Sequence, residues 1–203
     1  MEMVALKPSD IVSNGIKIGL ANYLSLLGAF VLWGLTIWVP YINVGTTIAI
    51  MTLPLALGEG KRISPLEIFD GKYRQFMGEI FVHSGFKFAG LYMGLLFMVV
   101  PAIVLQFSWM LSELLIIDKQ LNPAEALAES NRRMAGNKWN VFFGELLIGL
   151  IIAAAILVLG LLAGALQNSG FGLVILGIVY ILVMVFAAAS MMGAKAYVYK
   201  MLK

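Results

Sequence analysis

The chain has 203 residues, 61% of them apolar and 12% charged, with a net charge of +3, whereas an ordinary soluble domain is about half apolar and a quarter charged. A soluble core of this length leaves about a third of its unfolded surface in water, so charges this sparse exclude a conventional soluble fold and point to a lipid bilayer. The lack of cysteine and the single histidine, His83, exclude disulfide frameworks, thiol nucleophiles and thiolate metal sites, and no cofactor is expected.

Met1 to Tyr23 has no apolar core ahead of a small-residue cleavage site, so no removable signal peptide is expected. Six apolar segments approach the roughly 20 residues a spanning helix needs. The first runs from Leu24 to Trp38 and the second from Thr46 to Leu57, with Pro54 inside it; both are short enough to be re-entrant. One stretch from Phe88 to Ile117 would be about 45 Å long as a single helix, so Pro101 is expected to divide it into a third and a fourth span. The fifth runs from Trp139 to Leu166 and the sixth from Phe171 to about Tyr197, joined by the polar turn Gln167-Asn168-Ser169-Gly170.

The basic residues fall on alternate connections and in the tails: Lys7 and Lys17; Lys61, Arg62, Lys72 and Arg74; Lys119, Arg132, Arg133 and Lys138; Lys200 and Lys203. The other connections, at Pro40 to Gly45, at Pro101 and at Gln167 to Gly170, carry no charge. Positively charged loops stay cytoplasmic, so a bacterial inner-membrane protein with both termini cytoplasmic is expected.

The charged connections share a pattern. Lys7-Pro8-Ser9-Asp10, Ser64-Pro65-Leu66-Glu67 and Asn122-Pro123-Ala124-Glu125 each place an acid two residues after a proline, which marks three helix starts. Fourteen residues after the first and third prolines come Asn22 and Asn137. Apolar stripes follow: Val12, Ile16 and Tyr23; Leu66, Phe69, Tyr73, Phe76 and Ile80; Leu127 and Met134, the last beside a Glu129 to Arg133 pair. The expected fold is an all-α membrane protein in one domain, 1–203, with three tandem units of about 7–60, 61–118 and 119–203. Each unit is a flat interfacial helix plus a helical hairpin, six membrane helices in all, arranged about a pseudo-threefold axis.

Mitochondrial carriers also have three two-span repeats with a proline-acid signature, but the basic residue that completes it is replaced here by Ser13, Asp70 and Ala128. The run Asn122-Pro123-Ala124-Glu125-Ala126-Leu127, then Ser130, then Gly136-Asn137-Lys138-Trp139-Asn140-Val141-Phe142 resembles a segment of uncharacterised bacterial six-helix membrane proteins. Those proteins are related to the membrane domain of membrane-attached glycerophosphoryl diester phosphodiesterases. The resemblance implies a multi-pass inner-membrane fold and carries no catalytic residue; the phosphodiesterase barrel has no counterpart in this sequence.

Ionisable groups inside spans are functional candidates, and four qualify: Lys87, Glu113, Glu145 and Lys195. Pairing of Lys87 with Glu145 or of Lys195 with Glu113, snorkelling to headgroups, and a solute or proton site are the competing readings. His83 is expected at headgroups or at a helix cap. Gly90 with Gly94, Gly160 with Gly164, and Ala189 with Gly193 are close-packing pairs or an oligomer face. Lys72, Arg74, Arg132, Arg133 and Lys138 are candidate contacts for membrane lipids or a membrane-protein partner. No phosphate loop or nucleophile motif occurs, and the small charge excess points away from nucleic acid. The leading expectation is a non-catalytic lipid- or partner-binding scaffold, membrane-shaping element or accessory subunit. The alternative is a small-solute transporter or channel along the repeat axis; an enzyme ranks below both.

Overall fold

The computed structural model describes residues 5–166 and 169–203; Met1 to Val4, and Gln167 and Asn168 of the expected polar turn, lie outside the described residues. Those described form nine α-helices, two 3-10 segments and no strand: α1 (Pro8–Ala21), α2 (Tyr23–Thr36), α3 (Pro40–Gly58), 3-10 turns at Pro65–Phe69 and Gly71–Phe76, α4 (Met77–Leu96), α5 (Val99–Ser108), α6 (Ser112–Lys119), α7 (Pro123–Arg133), α8 (Lys138–Ala165) and α9 (Gly170–Met201).

Four segments are long and apolar enough to cross a membrane: α3, Val99–Lys119 counted through the bend between α5 and α6, α8 and α9. A fifth arises if α1 and α2, bent by 72° where they meet, are one broken span. The expected third span corresponds mostly to α4, and it does not reach that standard because Glu79, His83 and Lys87 interrupt its apolar run. The break after α4 comes at Phe97 and Met98, ahead of Pro101, with Met98 at φ 115°. Pro101 sits in the first turn of α5, where a missing N–H costs no helical bond.

All three prolines open helical segments as expected, but the segments differ. In α7 the Asn122 side chain accepts the Glu125 N–H at 2.9 Å, and Leu127 and Met134 are buried as the stripe requires. The second segment is not one flat helix. Asp70 leaves helical geometry and accepts the Lys72 N–H, ending one 3-10 turn and starting the next. The tighter winding rotates the faces, so Ile68 and Tyr73 are buried while Leu66 and Phe69 are exposed.

This segment also climbs the α2–α3 hairpin. The Ile63 N–H reaches Asn22, Pro65 packs on Gly28, and Arg74 reaches Gly45 and the Tyr41 ring. Charges that were expected on the opposite side of the bilayer therefore lie beside the Pro40 to Gly45 turn. Thr36, Asn43 and Thr46 close that turn through side-chain hydrogen bonds.

Two asparagines make long-range contacts of one kind. Asn22 accepts the N–H of Ile63, two residues before Pro65, and Asn137 accepts the N–H of Leu6, two residues before Pro8. Asn22 stands fourteen residues after Pro8, and Asn137 fourteen after Pro123. Counting three residues on from the prolines gives Ile11, Ile68 and Ala126, and eighteen gives Leu26, His83 and Val141, all at most 1% exposed.

The first stripe is corrected by the structure: α1 buries Ile11, Gly15 and Gly19 rather than presenting mainly Val12 and Ile16. Those glycines lie against Ala189, Ser190, Gly193 and Ala194 of α9, so closely that a Cβ on Gly193 would collide with the Gly15 carbonyl oxygen and one on Gly19 with that of Ala189. Small residues allow such backbone approach in a membrane. Gly90 and Gly94 are likewise covered, by Trp109 and Ala102, whereas Gly160 and Gly164 face open space. Gly193→Val is expected to destabilise the protein by about 2 kcal/mol or more through overpacking. Gly164→Ala should stay within about 0.5 kcal/mol of the parent; unfolding of the purified variants in detergent measures both.

Candidate functional site, a buried ion triad beside a central cavity

The bend between α5 and α6 places α6 in the middle of the molecule, where Leu114, Leu115 and Ile116 are fully buried. Breaking a helix in an apolar setting strands backbone groups, and α7 repairs this break. The Ser130 hydroxyl donates to the Ser108 carbonyl at 2.7 Å and accepts the Leu111 N–H at 3.1 Å. Ser112 donates to the Trp109 carbonyl at 2.6 Å and meets His83 Nε2 at 2.7 Å. Because that hydroxyl has one proton, Nε2 is the donor and Nδ1 carries the lone pair. Nδ1 is buried without a partner, and His83 is 1% exposed. The expectation that His83 meets headgroups or caps a helix is therefore corrected; it stands eighteen residues after Pro65, as Leu26 and Val141 stand after Pro8 and Pro123.

Glu113, in the first turn of α6, is held by two lysines. Lys87 Nζ of α4 donates to Oε1 at 2.6 Å and Lys195 Nζ of α9 to Oε2 at 3.0 Å. The three side chains are 11 to 20% exposed. Of the two pairings expected from sequence, Lys195 with Glu113 is present and Lys87 with Glu145 is not. Lys87 joins the same carboxylate instead, because α6 enters between α4 and α9. Glu145 of α8 makes no hydrogen bond or ion pair with the described residues; it lines a cavity of about 270 Å³ with Lys87, Lys195 and Gln106. Met51, Pro54, Phe107, Met110, Met191 and Met192 complete the wall, so α3, α4, α5, α8 and α9 all contribute.

The surface cations form two separate groups. Lys72 pairs with Glu67 at 3.3 Å and Asp70 at 3.2 Å, while Arg74 lies over Tyr41. Arg132 and Arg133 both bond Glu129, each at 2.7 Å through Nε, and with Lys119 they line an open groove of about 580 Å³. Lys138 lies outside that groove and donates to Asn131 at 2.7 Å. Arg133 Nη1 is buried without a partner. No group of three or more His, Asp or Glu side chains is placed to hold a metal ion among the described residues.

Sequence reasoning missed Gln106, the methionine wall and the central position of α6. Only the helix break could have signalled α6, and it has no proline of its own; the asparagines at fixed distance were visible, but not what they hold.

Replacing Glu113 by Gln leaves two lysines without a counter-charge in a low-dielectric setting, and a loss of about 3–5 kcal/mol is expected in detergent unfolding. At the surface, hydrogen bonds from Arg132 and then Arg133 hold the Glu129 carboxyl at about 2, against an ordinary 4.5. A depressed native value contributes stability above the ordinary one, which is lost as pH falls toward the native one. The parent should exceed Glu129→Gln by about 1 kcal/mol at neutral pH, and the difference should vanish between about pH 4.5 and 2, read as melting temperature against pH.

No protein-family model, curated protein or solved structure matches the chain.

Proposed function

We propose that the chain is a non-catalytic, multi-pass protein of a bacterial cytoplasmic membrane that binds lipid headgroups or a membrane-protein partner, as a scaffold, membrane-shaping element or accessory subunit. The observation that carries this reading is the division of its surface. The buried residues of α8 and α9, and their charges Lys138, Glu145, Lys195 and Lys200, lie toward the start of α8 and the end of α9, whereas the most apolar windows of both helices are only 6% buried and expose Leu157, Leu161, Phe171 and Val174. At about 42 and 48 Å, both helices exceed a hydrocarbon core of about 30 Å, and hydrocarbon is the surrounding that such faces fit. The groove of Lys119, Arg132 and Arg133, which Glu125 and Glu129 also line, keeps a net positive charge that suits an anionic headgroup.

In this reading three like units surround a pseudo-threefold axis, with both termini cytoplasmic. Support comes from the asparagine bonds, which pass from unit one to unit two and from unit three to unit one. The third equivalent would pair position 79, a glutamate, with Leu121. Six membrane helices follow if α4 counts, with the α2–α3 hairpin re-entrant, since Lys72 and Arg74 lie along it. The resemblance to uncharacterised bacterial six-helix membrane proteins fits this architecture. The second reading, a small-solute transporter, is favoured by the central cavity to which all three units contribute.

Neutralising Lys72, Arg74, Arg132 and Arg133 together should remove most anionic lipid or partner that copurifies, as counted by native mass spectrometry. Unchanged adducts, with solute flux in proteoliposomes, would replace the scaffold by the transporter.

A further inference from the structure

We propose that the central cavity binds a net-neutral zwitterion, its ammonium on Glu145 and its phosphate or carboxylate on Lys87 and Lys195. The argument starts from unfilled hydrogen-bonding capacity. An ammonium has three donors, and Lys87 and Lys195 each spend one on Glu113. The remaining donors of both lysines have no protein acceptor, and both oxygens of Glu145 lack a donor, yet the three side chains line one cavity. Lys87 and Glu145 also stand at equivalent positions, twenty-two residues after Pro65 and Pro123.

Charge decides the class of ligand. With Glu145 ionised, the form that an ammonium guest would hold, two ammoniums, Lys87 and Lys195, and two carboxylates, Glu113 and Glu145, cancel. In a low-dielectric interior a net-charged guest would leave an uncompensated ion, while a zwitterion meets a partner at each end and leaves the balance intact. Gln106 offers a further donor and acceptor on the same wall, and Met51, Met110, Met191 and Met192 give an adaptable apolar side for a short carbon linker or the start of an acyl chain. A volume near 270 Å³ suits a headgroup-sized guest rather than a drug-sized one. The phosphodiester-linked ethanolamine headgroup, one negative and one positive charge, has these features, whether carried by a lipid or free in solution as glycerophosphoethanolamine. The inference stands apart from the surface reading, because the Arg132 and Arg133 groove shares no residue with the cavity.

Calorimetric titration of the full chain in detergent tests it with three probes: dioctanoyl phosphatidylethanolamine, free glycerophosphoethanolamine, and dioctanoyl phosphatidylglycerol as a net anion of similar size. The parent should bind a zwitterionic probe at least tenfold more tightly than phosphatidylglycerol. Glu145→Gln should lose at least tenfold for the zwitterion, and the Arg132 and Arg133 double neutralisation should lose none. Binding of the lipid alone identifies a bilayer source, and binding of free glycerophosphoethanolamine a soluble one. Equal or tighter binding of phosphatidylglycerol, no binding of either zwitterion, or an unchanged affinity in folded Glu145→Gln overturns the proposal. If Glu145→Gln does not fold, the comparison of probes on the parent decides alone.

Discussion

Everything central in this molecule is arranged around one carboxylate. Glu113 lies on a short helix with buried leucines and an isoleucine after it, where an unpaired charge is untenable. It is made tenable by ammoniums arriving from α4 and α9, one to each oxygen. The pairing explains why α6 can sit in the middle of an apolar protein and why α4 keeps a lysine at the cost of its own hydropathy. The neighbouring polar contacts follow the same rule: Ser112 accepts from His83, and Ser130 occupies the gap between α5 and α6. A broken helix, a buried histidine and an ion triad are therefore parts of one solution to the problem of placing backbone ends inside apolar surroundings.

How much of this was legible in the sequence depends on the kind of signal. The helix-starting prolines, the cap at Asn122, the Glu129 to Arg133 pair and the exposed character of α8 and α9 were readable because they follow from local chemistry or bulk hydropathy. The spacing of Asn22 and Asn137 was visible, but its meaning is long-range: each amide side chain receives an N–H from far along the chain. The 3-10 segment was misread because a stripe at three- and four-residue intervals cannot reveal that Asp70 interrupts it. The α1 stripe was misread because glycines carry no hydropathy signal, although they make that helix's tightest contact. Pairing of Lys87 with Glu145 was one of several open readings because depth along a helix orders charges by level but says nothing of which helix intervenes.

The two functional readings meet at the cavity. A scaffold needs its outer faces solvated by lipid, and α8 and α9 supply such faces; it has no evident need for an unpaired glutamate opposite two lysines with donors to spare. Natural membrane proteins retain polarity at depth chiefly where something passes or binds. The cavity walls come from five helices, so occupancy there would be felt by all of them, and the methionines allow the wall to adapt without breaking the triad.

The close seam between α1 and α9 has a consequence for how the protein is made. Gly15 and Gly19 emerge from the ribosome long before Ala189 and Gly193, so the first described helix has no partner during most of synthesis. Its glycines do little to hold it as an isolated helix, and its docking must wait for the last hairpin to arrive. Closure of the α1–α9 seam is therefore a late assembly step, and until it happens the small-residue faces of both helices stay uncovered.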